Sequence, residues 1–130
     1  GKAEQAMSML EQHYLLKPNN QVITLNYANA ALQGKAYRLA VHLLRNLLYY
    51  KNDIFLAYEM LADTYKAMED YARYYEARAD LYYQMAVYPK AIDDLNEALN
   101  HVGKNNTLEN RRLEAKKKQW QTELNRLKRL

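Results

Sequence analysis

Apolar and small residues recur along this chain at a fixed interval. In AEQAMSMLEQHYLLKPNN, Ala6, Leu10, His13, Tyr14 and Pro18 align with Ala40, Leu44, Leu47, Leu48 and Asn52 of AYRLAVHLLRNLLYYKND, 34 residues on. A third copy, VYPKAIDDLNEALNHVG, places Ala91, Leu95, Ala98 and Leu99 51 residues beyond the second, one and a half periods. Within each copy the spacings are three and four residues, which gather these positions on one face of a helix.

Seven helices follow, over residues 2–16, 21–33, 37–51, 54–67, 70–85, 88–101 and 107–129. Only 3 Gly and 2 Pro interrupt the chain, too few to bound many short strands. The punctuation that exists falls at the predicted ends. Pro18 stops the first helix and Asn19-Asn20 offer a cap to the second, which Gly34 closes. Asn52-Asp53 stop the third helix and offer an N-cap to the fourth; Asp70 suits the N-cap of the fifth. Pro89 suits the first turn of the sixth, Gly103 ends it, and Thr107 opens the last.

A 34-residue period resembles the tetratricopeptide repeat, a pair of antiparallel helices, and Tyr27, Ala28, Ala31, Gly34, Tyr37, Ala40, Leu44, Leu47 and Leu48 carry the resemblance. Tyr58, Leu61, Ala62, Tyr65 and Tyr71 begin a second unit. Small residues let two helix backbones approach and aromatic residues fill the gaps between successive pairs, so the pattern specifies stacking rather than catalysis. The extra half period gives residues 70–85 two roles: second helix to 54–67, and first helix to 88–101 through Tyr75, Ala79 and Tyr82. The expected fold is an all-α superhelix of about seven helices, with repeats over 1–106 and a basic capping helix over 107–130. The chain begins on a second helix without its first, so we expect an excised part of a longer protein, with Gly1 a cloning remnant.

Charge changes the picture only at one end. Residues 1–106 carry 11 Lys/Arg against 12 Asp/Glu, whereas residues 107–130 carry 8 against 3. The last helix sets Leu113, Trp120, Leu124 and Leu127 on one stripe and surrounds them with Arg111, Arg112, Lys116, Lys117, Lys118, Arg126, Lys128 and Arg129. A cap that buries one face and solvates the other explains this; a nucleic-acid or membrane-surface helix is the competing reading. No apolar run is long enough to cross a bilayer, the first residues lack the apolar core of a signal peptide, and no Cys is available for a disulfide or thiolate site.

Catalytic chemistry has little to work with. His13, His42 and His101 lie on different helices, no HExxH occurs, and adjacent Asp93 and Asp94 point to different sides of a helix. No catalytic residue, metal ligand or cofactor is expected in this chain. Of 13 tyrosines, Tyr27, Tyr37, Tyr65, Tyr71, Tyr82 and Tyr88 occupy aromatic positions of the repeat. Tyr49, Tyr50, Tyr74, Tyr75 and Tyr83 exceed it, and either thicken the core at the half-period shift or line a binding groove.

The tetratricopeptide resemblance implies a concave groove lined by first helices. It assigns Val22, Leu25, Asn29, Leu32 and Gln33, then Leu56, Glu59, Asp63 and Lys66, then Arg73, Glu76, Asp80, Tyr83 and Gln84. The partner-binding set is Leu25, Asn29, Glu59, Asp63, Asp80 and Tyr83. Glu59/Asp63 and Glu76/Asp80 would form an acidic patch if both helices face the groove; otherwise they are solvated helix faces. The Lys/Asn/Arg pattern that clamps a terminal carboxylate in chaperone-binding members is matched at Asn29 alone.

Taken in order, QVITLNYANAALQG, LAYEMLADTYKAMED, YYEARADLYYQMAVYPKAIDDLNEAL and LENRRLEAKKKQWQ resemble the C-terminal region of periplasmic zinc metallopeptidases of the β-barrel assembly-enhancing type. That resemblance implies a periplasmic substrate- or partner-recognition region, serving assembly or quality control of outer-membrane proteins. Its partners would be the assembly machinery, an unfolded β-barrel substrate or its own protease domain, with zinc confined to that absent domain. A tetratricopeptide adaptor in another, cytoplasmic complex is the alternative, followed by a basic helical domain for nucleic acid or membrane surfaces.

Overall fold

A computed structural model describes residues 1–130, and it is all-helical. The helices are α1 (Lys2–Leu16), α2 (Gln21–Gln33), α3 (Tyr37–Tyr50), α4 (Phe55–Ala67), α5 (Tyr71–Gln84), α6 (Tyr88–His101) and α7 (Thr107–Lys128). Every predicted helix is present, with ends within about one residue.

Two helix starts are capped by the side chains the sequence suggests. The Asn20 side chain accepts from Ile23 N–H at 2.9 Å, and Asp70 accepts from Arg73 N–H at 3.2 Å. Pro89 lies in the first turn of α6, where a missing N–H costs nothing. Helix α7 is capped not by Thr107 but by Asn106 just ahead of it, whose side chain accepts from Glu109 N–H. The start of α4 departs from expectation. Neither Asn52 nor Asp53 caps it; buried Ile54 holds that position without a side-chain cap, while the Asn52 carbonyl accepts the Tyr58 hydroxyl at 2.8 Å. Burying an isoleucine there displaces Asp53 one residue outside the helix.

The backbone records the period independently of side chains. Lys35, Glu69 and Ala86 are the non-glycine residues with positive φ, at 62°, 59° and 63°. They stand 34 and 17 residues apart, the full and half period. After α2 and α5 the turn closes as a Schellman motif: Ala36 N–H donates to Ala31 C=O and Val87 N–H to Tyr82 C=O, each at 2.8 Å. None of the three is glycine. Gly34, at φ −84°, is not required for its backbone angle. Its reason is space: a Cβ there would lie 2.8 Å from Met7 Cε and 3.3 Å from Ala3 Cβ, both on α1.

The contacts divide the chain into residues 1–69 and 70–130. In the first unit α1 packs on α2, α2 on α3 and α3 on α4, and α2 also touches α4. Ala28, Ala31, Ala40 and Ala57 are fully buried there, with Tyr27, Leu43, Leu44, Leu47, Tyr58 and Tyr65 filling around them. In the second, α6 packs on both α5 and α7 about a core of Ala79, Ala91, Ile92, Leu95, Ala98, Leu113 and Trp120. Helix α7 therefore shares a core with α5 and α6, burying the one face expected of a capping helix.

Two sets of variants test this register. Ala40→Leu and Ala91→Leu place bulk where no exposed surface exists, and each should lower unfolding stability by roughly 1–3 kcal/mol in denaturant titration; wild-type midpoints would refute the register. Ala86→Gly relieves a left-handed conformation worth about 1–2 kcal/mol, against a glycine entropy cost of about 0.5–1 kcal/mol. Its melting temperature should rise.

Candidate partner-binding surfaces

Offsets of 34 and 17 residues bring the groove positions of α2, α4 and α5 into correspondence. Leu25, Glu59 and Glu76 are equivalent, as are Asn29, Asp63 and Asp80, and then Leu32, Lys66 and Tyr83. Each helix buries an alanine beside this strip: Ala28, Ala62 and Ala79 are at most 6% exposed. On a helix the strip begins one residue from that buried position, so it borders the core without entering it.

In the first unit the strip is open. Leu25 is half-buried, and Asn29, Glu59 and Asp63 are exposed. Val22 is 66% exposed, Leu56 51% and Phe55 42%. Helices α2 and α4, which carry these positions, are in contact.

In the second unit the strip is covered by α7. Arg112 grips Glu76 with two parallel hydrogen bonds, Nη1 to Oε2 at 2.8 Å and Nη2 to Oε1 at 2.6 Å. Lys116 Nζ lies 2.8 Å from Glu76 Oε2 and 2.6 Å from Asp80 Oδ1. One turn on, the Tyr83 ring stacks on Trp120 with centroids 4.4 Å apart and planes 10° from parallel, and Lys116 sits over the indole at 5.3 Å. Glu76, Asp80 and Tyr83, spaced four and three, thus meet Arg112, Lys116 and Trp120, spaced four and four.

Glu76 is the electrostatic centre of this contact. Burial alone pushes its carboxyl up, but the Arg112 hydrogen bonds, with the charge and hydrogen bond of Lys116, outweigh it and bring the pKa down to about 2. Arg112 is raised in turn, first by its bonds to Glu76 and then by those to Glu109. A second buried carboxylate, Asp94, is treated differently. Burial raises it, Arg78 at 3.6 Å only partly opposes that, and its Oδ2 accepts no hydrogen bond.

Two expectations change here. The four carboxylates do not form one open patch: Glu76 and Asp80 are engaged by α7, and Glu59 and Asp63 remain exposed. Nor are all eight basic residues of α7 a solvated face, since Arg112 and Lys116 are spent on α5. The apolar stripe behaves as expected, with Leu113 and Trp120 buried, though the ring meeting Trp120 belongs to α5. The pairing was visible in sequence as matched spacings, but nothing in sequence says which helix α7 lies beside.

Of the tyrosines assigned to packing, Tyr27 and Tyr65 are buried, Tyr37, Tyr82 and Tyr88 half-buried, and Tyr71 is 42% exposed. Of the extra five, Tyr83 packs on Trp120 and Tyr75 stacks on His101 at 5.3 Å, with Tyr74 edge-on to Tyr75. Tyr49 and Tyr50 are 88% and 69% exposed and flank a shallow pocket of about 310 Å³ with Tyr14, Pro18 and Asn46. The three histidines are exposed, and no group of three or more His, Cys, Asp or Glu side chains is placed to hold a metal ion. No helix is long and apolar enough to cross a membrane.

No known family model matches the chain, and no curated protein is detectably similar to it.

Glu76 sets the acid response. Its folded pKa lies below its unfolded one, so its contribution is present above pH ~4.5 and fades as pH falls towards 2. A depression of this size corresponds to roughly 3 kcal/mol as an upper figure. Glu76→Gln should destabilise the protein by roughly 2–3 kcal/mol at pH 7. Denaturation curves of the two proteins should converge between pH 4.5 and 2; a constant gap would show that the ion pair is not its source.

Proposed function

We propose that this chain is a protein-recognition module and that its binding surface is the open strip of α2 and α4. The observation that carries this is the contrast between equivalent positions. Glu76, Asp80 and Tyr83 are covered by a helix of the same chain, whereas Leu25, Asn29, Glu59 and Asp63 offer the same register to an external segment. Leu25 and Leu56 supply apolar contact, and the amide and carboxylates supply polar selection. Exposed charges of this kind tune encounter and specificity more than affinity.

The sequence resemblance extends this proposal to a setting. The module would be the recognition region of a periplasmic zinc metallopeptidase of the β-barrel assembly-enhancing type. Its strip would then hold a segment of the outer-membrane assembly machinery, of an unfolded β-barrel substrate or of the protease domain itself. The engagement of Arg112 and Lys116 by Glu76 and Asp80 argues against α7 as a nucleic-acid reader, because it occupies cations that phosphates would need.

Photocrosslinking residues placed one at a time at Leu25, Asn29, Glu59, Asp63, Asp80 and Tyr83 of the full-length protein in cells will test this. Partner adducts should form from the first four, while Asp80 and Tyr83 should report α7 instead. Adducts confined to exposed α3 positions such as Arg38 and Asn46 would overturn the strip assignment.

A further inference from the structure

We infer that the α4 strip receives a cationic helix from its partner, carrying Lys or Arg residues four apart. The inference rests on the recognition strip proposed above and names what fills it. Helices α4 and α5 carry the same pair, a Glu followed four residues later by an Asp, 17 positions apart. On α5 that pair is seen with an occupant: Glu76 and Asp80 hold Arg112 and Lys116 of α7, themselves four apart. Four residues advance a helix by about 6 Å, so two carboxylates at that spacing match two cations at the same spacing on a helix alongside. On α4 the two carboxylates, Glu59 and Asp63, are exposed and neither is engaged by a cation.

The α5 contact also gives a direction. Residue numbers rise together on both sides, Glu76 with Arg112, Asp80 with Lys116 and Tyr83 with Trp120, so the bound helix runs parallel to the one it lies on. The aromatic end of that contact is not repeated on α4, where Lys66 replaces Tyr83. Exposed apolar surface lies at the other end instead, at Leu56, three residues before Glu59. The occupant of α4 therefore carries its apolar anchor about one turn before the first cation. Leu108, Arg112 and Lys116 of α7 have that spacing, and Leu108 is 81% exposed. A second copy of the chain is the poorer donor, because its own Arg112 and Lys116 are already engaged.

The probe is a fluorescein-labelled peptide of residues 107–130, titrated against the full chain by anisotropy at low and physiological salt. One peptide should bind per chain, more weakly as salt rises. The chain variant E59K/D63K should lose at least tenfold in affinity, as should the peptide variant R112E/K116E, and combining the two variants should restore much of the loss. Glu59 and Asp63 are exposed, so unchanged melting of E59K/D63K will show that the fold is kept. Three outcomes would overturn the inference: no binding; binding indifferent to E59K/D63K; or binding lost only with Glu76→Gln and Asp80→Asn, which would mean exchange with the resident α7. Partner crosslinks from Leu25 and Asn29 that persist in E59K/D63K would leave the strip standing and refute only its cationic occupant. Absence of partner crosslinks from every strip position would refute the strip itself, whatever the peptide does.

Discussion

Close approach of helix backbones at alanine is the constraint on which the rest depends. Ala28, Ala31, Ala40, Ala57, Ala79, Ala91 and Ala98 are fully buried, and each sits where a larger side chain would separate two helices. Once backbones are that near, the remaining space is shallow and wide, which suits tyrosine rings with a hydroxyl that can reach a polar partner. Tyr58 reaches the Asn52 carbonyl and Tyr65 accepts from Arg45 Nε, each at 2.8 Å. The same geometry fixes what stays outside. Positions beside the buried alanine border the core, and these become the strips of α2, α4 and α5.

Fixing that register leaves one degree of freedom per strip, namely what covers it. On α5 the answer is intramolecular: a partly buried carboxylate, two cations and a stacked pair of rings bind α7 across side chains long enough to span the gap. Ion pairs of this kind add directional selection rather than large net stability, because desolvation consumes much of the Coulomb gain. Their consequence for function is subtractive. The chain's excess of positive charge, concentrated in residues 107–130, is partly internal, and the carboxylates it satisfies leave the binding surface.

How much of this was legible depended on the range of the interaction. Helix ends followed from Asn20, Asp70, Pro89 and the glycines because caps act within three or four residues. Where a long-range contact competed, local reading failed. Buried Ile54 displaced the Asn52-Asp53 cap; Gly34 does end α2, but the α1 side chains that crowd its Cβ position could not be read locally. Tyr71 is exposed although the repeat assigns it to packing, for its position in the period does not specify its neighbours.

The sequence by itself determined the helices, their 34-residue period, the half-period step that recurs in the backbone at Lys35, Glu69 and Ala86, and the faces that alanine would bury. Those are properties of spacing along one chain. Which of two chemically similar strips stays open was decided only in three dimensions. Glu59/Asp63 and Glu76/Asp80 have the same spacing in sequence, and their availability differs because α7, packed on α6, comes within side-chain reach of α5. A carboxylate's availability is a matter of what stands within about 4 Å of it, and that distance joins residues 36 and 40 positions apart.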